Sequence, residues 1–419
     1  MNCGVVHIIG GGLAGLSAAT ELCRHGRQVH LHEATGQLGG RCRSYFDSTL
    51  GMEIDNGNHL VLSGNTATLR YLDLIGSRDN VTEYDAVFPF VDLSSGARWT
   101  LRPNRGSIPW WILDRRRNVP GARLKEYMAV VSLLGARPAR TIGETISCKG
   151  ALYNRLVEPV LLAALNTGLQ ESSAALAASV IRLSLMGGAQ RCRPLIAHAG
   201  LSAAFIDPAV SFIRSRGGVV DCAQRLHALE RNGDRVTGLQ FVDAKIDVSD
   251  DDGVILATPP PVARDLMPDL QTPTQYRAIV NAHYRVRPPP GTPPFTGIVN
   301  GLAQWLFAFP ERLSVTISAA DAHLATPRER LATLVWNDVA NITGIQAPLP
   351  VWQIVRERRA TFAATPQQDA CRPRARTALQ NLSLAGDWTQ TGLPATIEGA
   401  IVSGVSAARL QMQGSGVGR

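Results

Sequence analysis

With 419 residues, 45% of them hydrophobic and 18% charged, the chain is a folded protein long enough for two domains, which excludes a disordered polypeptide. A net charge of +8 favours phosphates and acidic lipid surfaces as partners; nucleic acid is excluded, because aromatic residues are 6% and no helix-turn-helix, zinc-finger or RNA-platform pattern occurs. Seven scattered cysteines, never in CxxC spacing, point to reduced thiols with no disulfide framework and no metal site.

The N-terminal elements come first. A strand, Val5 to Ile9, runs into Gly10-Gly11-Gly12-Leu13-Ala14-Gly15, then a helix, then a second strand from Gln28 to His32 that ends at Glu33. This spacing predicts a dinucleotide-binding βαβ unit. Gly10 permits the tight turn, Gly12 lets backbone approach a pyrophosphate, and Gly15 lets helix pack on strand. Leu13 and Ala14 lie at the helix N-terminus, whose N–H groups and positive dipole end suit phosphate. Glu33, about 20 residues on, is placed to bind ribose hydroxyls. No signal-peptide pattern is present, and no apolar run approaches the roughly 20 residues that cross a bilayer. The expectation is a cytoplasmic protein, soluble or peripheral on the inner face of the membrane.

Ala34-Thr35-Gly36-Gln37-Leu38-Gly39-Gly40-Arg41 follows. It resembles the second half of the FAD signature of the amine oxidase and carotenoid desaturase superfamily. The resemblance implies that Ala34, Gly39 and Gly40 lie against the cofactor and that Arg41 meets its phosphates, a task suited to a bidentate guanidinium. Asp55-Asn56-Gly57-Asn58-His59 comes next. Between Trp99 and Lys125, Trp110-Trp111 sits among Arg115, Arg116, Arg117 and other cations, a composition suited to an anionic membrane surface; a basic loop with its tryptophans folded inward is the other reading. Leu152 to Leu165 reads as a helix bent at Pro159, and Ala174 to Met186 as a second helix.

Farther along, Gly217–Val220, Arg225–Glu230 and Val236–Phe241 read as strands, as does the apolar run from Gly253 that ends in Ala257-Thr258-Pro259-Pro260. Leu226 and Ala257 are candidate cofactor contacts. Val280–Val286 and Val315–Ala319 are further strands. A last strand delivers Gly386 and Asp387 to a turn. Pro394 then opens a helix to about Met412, with Thr396, Ile397 and Glu398 in its first turn, beside free N–H donors that suit the flavin N1/O2 edge. The fold class is α/β: a Rossmann-like FAD-binding domain of glutathione-reductase type (1–65, 197–261 and 376–413) with a discontinuous α+β substrate domain (66–196 and 262–375) and a tail at 414–419.

Three strings narrow the resemblance: Asp55 to Leu62, Glu158-Pro159-Val160-Leu161-Leu162-Ala163-Ala164-Leu165-Asn166-Thr167, and Ala385-Gly386-Asp387-Trp388 with Leu393 to Ala400. Together they resemble the squalene-associated FAD-dependent desaturase family, the hydroxysqualene dehydroxylases of bacterial hopanoid biosynthesis. Asn58 stands where that family usually carries glutamine. The resemblance implies FAD as cofactor, with Asn56, Gly57, Asn58 and His59 beside it. It also implies reductive removal of an allylic hydroxyl from hydroxysqualene, in a long apolar slot, by hydride from reduced flavin. His59 and Asp55 are the candidate proton donors, each with a structural role as the alternative. Glu158 is expected to pair with an arginine, and Trp388 to pack beside the flavin ring or in the core. An external electron donor is required, and no second dinucleotide motif identifies it. Two rival functions stay open: a desaturase or amine oxidase running the flavin oxidatively, and a prenyl-lipid escort protein of the same fold.

Overall fold

The computed structural model describes residues 4–414 apart from Ser107 and Arg115; the expectations that fell on Arg115 and on residues 415–419 lie outside the described residues. Five parallel strands form one sheet, in the order Val219–Asp221, β2 (Val29–His32), β1 (Val6–Ile9), Gly253–Leu256, Leu382–Leu384. β1 and Gly253–Leu256 are buried along their whole length, which is why they read as continuous apolar runs. Helix α1 (Leu13–Arg24) covers one face with eleven buried residues. A β-carbon on Gly15 would stand 1.9 Å from the Gly10 carbonyl oxygen, so the helix rests directly on the turn that starts it. The last helix, Ile397–Gly414, lies against α1 as closely: a β-carbon on Gly404 would meet the Ala14 carbonyl at 2.1 Å. On the other face the antiparallel strands Leu226–Asn232, Arg235–Phe241 and Lys245–Asp247 form a cover.

A second sheet has seven strands, in the order Trp352–Phe362, Tyr276–Arg285, Arg312–Ile317, Trp305–Phe309, Phe295–Val299, Phe88–Asp92, Arg98–Leu101. All its pairs are antiparallel except Phe295–Val299 with Phe88–Asp92. Helix Arg328–Thr343 seals one face with Leu331, Val335, Trp336 and Val339. On the other face a large apolar cluster joins Phe90, Phe295, Trp305 and Phe307 to the helices Glu158–Leu165 and Ala174–Leu183.

Three elements depart from expectation. The helix read from Leu152 to Leu165 is not α throughout: the turn before Pro159, Tyr153–Val157, widens to a π-helix, and the proline stands in the first turn of the α-helix Glu158–Leu165. The following helix stops at Leu183, because Ser184 leaves helical geometry and Gly188 takes φ 60° in a 3-10 segment. The strand expected to reach Ala319 ends at Ile317, and Ala319 adopts a left-handed φ of 49°. Among the described residues, no helix is long and apolar enough to cross a membrane.

Candidate functional site

β1 delivers Gly10 with φ +115°, a value that favours glycine, and a β-carbon there would press on the Ala257 carbonyl oxygen at 2.6 Å. Gly10 N–H donates to the His32 carbonyl (2.8 Å), and Gly11 N–H donates to Glu33 Oε2 (2.7 Å). Thr35 fixes the other carboxylate oxygen through its N–H (2.9 Å) and hydroxyl (2.8 Å). Gly39 N–H donates to the Gly11 carbonyl, and with φ of +100° and +56° Gly39 and Gly40 fold over Gly12. The strand carrying Leu226 is tied to this corner, since Gln224 N–H donates to the Glu33 carbonyl.

Gly12 caps α1 without any side-chain bond, and a β-carbon there would meet nothing within 4 Å. The first N–H groups of α1, those of Leu13 and Ala14, thus open onto free space bounded by glycine backbone. That combination fits an anionic pyrophosphate with a ribose at Glu33. Two buried polar atoms without a partner among the described residues, Thr258 Oγ1 and Asn58 Oδ1, mark further positions where a bound group has something to satisfy.

The C-terminal turn closes the other side. Gly386 (φ +148°) makes room for the Trp388 indole, which a β-carbon would strike at 2.3 Å. Trp388 is buried and donates from Nε1 to the Thr258 carbonyl (3.0 Å), so it is a core residue pinning the turn. Arg41 and Asp387, both expected at the cofactor, are brought together as an ion pair at 2.8 Å. Burial opposes the Arg41 charge, but Asp387 outweighs it and holds the guanidinium above its ordinary value. Arg41 also donates to the Ala360 carbonyl. It lies deep in the protein, yet 42% of its side-chain surface is open, so it lines an internal cleft. Thr396 caps the last helix by accepting from Gly399 N–H (3.1 Å), and Ile397 is buried behind it. Glu398 faces away from this turn. Its carboxylate accepts from the N–H groups of Ala67 (3.0 Å) and Thr68 (2.8 Å) and from the Thr68 hydroxyl, at the first turn of helix Thr66–Leu74.

The Asp55–His59 loop is anchored on the seven-stranded sheet. Asn281 donates to the Asn56 carbonyl (3.3 Å), and Asn58 donates to Thr316 Oγ1 (3.1 Å). Asn56 N–H donates to the Arg43 carbonyl, and a β-carbon on Gly57 would lie 3.2 Å from the Asn281 amide nitrogen. Asp55 is buried and already engaged by Ser44 Oγ (2.7 Å), Leu201 N–H (2.8 Å) and, at 3.7 Å, the Arg312 guanidinium. His59 forms no hydrogen bond to the described residues and is half-buried. Burial and then Arg41 lower its pKa, against an opposing pull from Asp55.

Glu158 makes no arginine pair among the described residues. Its neighbour is Tyr153, and burial raises its carboxyl above the usual range against the lowering effect of that hydroxyl. Tyr153 lies in the π-helical turn Tyr153–Val157 that immediately precedes Glu158. Arg372 was also not foreseen. It is buried and donates to the Thr389 carbonyl, the Asp387 carbonyl (3.3 Å) and Thr391 Oγ1 (2.9 Å), fixing the Gly386–Thr391 turn. In the basic segment, Trp111 is folded in, edge-on to Tyr127, while Trp110 is 61% exposed. Ile108, Leu113, Leu124 and Met128 are exposed around it, with Arg116 exposed and Arg117 half-buried.

Residues 13–410 match the family model of the flavin-containing amine oxidoreductases. A hydroxysqualene dehydroxylase of Rhodopseudomonas palustris is 52% identical over 407 residues, 97% of either chain. One of Sinorhizobium fredii is 50% identical over 408 residues, 97% of this chain and 98% of that protein. Among solved structures, the cyclohexylamine oxidase of Brevibacterium oxydans superposes with a TM-score of 0.70 at 16% identity, over 97% of this chain and 98% of that one, which is a likeness of fold. The chain is an FAD-dependent oxidoreductase of the flavin-containing amine oxidoreductase family, in the group of the hydroxysqualene dehydroxylases.

Proposed function

We propose that this enzyme removes the hydroxyl of hydroxysqualene reductively, giving squalene and water, and so supplies hopanoid synthesis. The observation that carries the reading is 52% identity over 97% of the chain to a hydroxysqualene dehydroxylase, joined to a complete glycine cradle. Gly10, Gly12, Leu13, Ala14, Gly15, Gly39 and Gly40 would hold the pyrophosphate. Glu33, Ala34 and Leu226 would hold the adenosine end, and Asn56 to His59, Ala257, Gly386, Asp387, Thr396 and Ile397 the flavin end. Bound and reduced, FAD supplies a hydride to the allylic carbon, and an external donor restores its electrons.

The chain supplies position and a proton. The allylic C–O bond breaks, its oxygen takes one proton and leaves as water, and the neighbouring alkene stabilises the positive carbon until hydride arrives. We assign the proton to His59, which has no partner among the described residues and borders the cleft that Arg41 lines. Asp55, spent on Ser44, Leu201 and Arg312, holds the loop in place. A His59 held below its ordinary value of about 6.5 gives up its proton readily once charged.

The exposed apolar ridge around Trp110, flanked by Arg116, Arg123 and Lys125, would dock on an anionic bilayer to collect the lipid substrate. Trp110→Ala with Leu113→Ala should weaken co-sedimentation with phosphatidylglycerol vesicles while leaving FAD content unchanged; undiminished binding removes the idea. For the reaction itself, anaerobically reduced protein mixed with hydroxysqualene should reoxidise and yield one squalene per flavin. Reoxidation without squalene, or bleaching of the oxidised enzyme by an amine, would overturn the reading.

A further inference from the structure

Three histidines stand apart from the cradle and from every role described above. His7 lies on β1, and His30 and His32 lie on β2; the parallel register sets His7 opposite His30 and Ile9 opposite His32. Alternation along the strands therefore sends all three imidazoles to one face of the sheet. There strand Arg235–Phe241 covers them, the Phe241 ring centroid standing 4.7 Å from that of His32. His7 Nδ1 and His32 Nε2 are 3.3 Å apart, and one ring nitrogen from each of the three lies within 4.8 Å of the others. The His30 and His32 ring centroids are 3.9 Å apart, the planes tilted by 33°. On the adjoining strand, Asp221 Oδ2 stands 2.7 Å from His30 Nε2.

Four-coordinate zinc with metal–nitrogen bonds of about 2.0–2.1 Å holds its ligand atoms roughly 3.3 Å apart. The His7–His32 pair already has that separation, and a side-chain rotation of the less buried His30 brings in the third nitrogen. Its other nitrogen is bonded to a carboxylate, the arrangement that fixes the tautomer and orientation of a metal-binding imidazole. His7 and His32 are almost fully buried. Asp252 beside His7 and Asp221 beside His32 supply negative charge to the surroundings.

We infer that His7, His30 and His32 form a site for a divalent transition-metal ion of the zinc class, with Asp221 orienting His30 and water completing the coordination. The ion enters from the His30–Asp221 side, where the two side chains are 25% and 47% exposed. Because the His32 carbonyl accepts from Gly10 N–H at 2.8 Å, the bound ion clamps β2 to the turn that begins the cradle.

The test uses the full FAD-loaded chain, stripped by chelator dialysis and titrated with Co²⁺ and with Zn²⁺. Expected are one equivalent bound per chain, the visible absorption of four-coordinate Co²⁺, and a melting temperature that rises with metal concentration. His30→Gln should weaken binding tenfold or more and abolish the absorption, and Asp221→Asn should weaken it about 10- to 100-fold. Both variants should keep their FAD and their metal-free melting temperature, since both side chains are partly exposed. Substoichiometric binding by the unaltered chain, or undiminished affinity in His30→Gln, overturns the site. Should His30→Gln melt early without metal, the Asp221→Asn titration decides by the same criterion.

Discussion

The two ends of the proposed cofactor cleft are built on opposite principles. At the Gly10–Gly15 end the chain offers backbone: free N–H groups, absent β-carbons, and a single carboxylate held by Gly11 and Thr35. At the Asp55–His59 end it offers side chains: Asp55 and Asn58 are held by partners from distant segments, among them Ser44, Leu201, Arg312 and Thr316, while His59 is left without a partner among the described residues. At the first end an added atom is excluded at Gly10 and Gly15 by backbone and would at Gly12 fill open space, while the second end depends on its partners.

That contrast can be broken in graded steps. Gly15→Ala should do the most damage, because its methyl would lie 1.9 Å from a backbone oxygen that cannot move aside. Expression should give no soluble yellow protein. Gly12→Ala sharpens the point: with nothing within 4 Å, its methyl should leave the flavin-free melting temperature unchanged and lower FAD occupancy alone. Equal loss of stability in both variants would refute the backbone account. At the other end, His59→Gln should slow squalene formation by about 10²- to 10⁴-fold with FAD content intact. In the unaltered enzyme the rate should fall as pH rises through a value below about 6.5, since burial and Arg41 lower His59, and the variant should lack that limb. Asp55→Asn should cost about 3 kcal/mol in urea unfolding, because the buried Arg312 loses its counter-charge.

A smaller effect is set by pH. His283, fully buried beside Arg312 and bonded to Ser314 Oγ, has its pKa pulled to about 3, by burial first and Arg312 second. The unfolded chain binds this proton near pH 6.5 and the folded one only near 3, so stability is complete above 6.5 and drains away as pH falls toward 3. His283→Gln should flatten the fall of the urea midpoint between pH 7 and pH 4 relative to the unaltered chain.

The legibility of the sequence follows the same divide. A glycine turn is local: Gly10, Gly12 and Gly15 fall within six residues, and the conformations they permit are written in their spacing. Partner-dependent roles are not local. Glu398 sits in the first turn of a helix, yet its carboxylate is taken by Ala67 and Thr68, more than 300 positions away. The Arg41–Asp387 pair spans a similar interval, so each residue looked like a separate ligand for phosphate or flavin. The histidines were invisible for a third reason: a parallel register, not a spacing, brings His7 to His30 and His32.

The tight seating of Gly404 against Ala14 has a consequence for synthesis. Helix α1 leaves the ribosome about 370 residues before the surface it packs on, within Ile397–Gly414, is translated. Strand β1 likewise waits for Gly253–Leu256 before its second edge is covered. The nascent polypeptide must therefore hold α1 unfinished, with apolar surface exposed, while the intervening residues are made. Loading of the flavin must then wait for Ile397–Gly414, and a chain cut before Gly404 should leave the parallel sheet's helical cover incomplete.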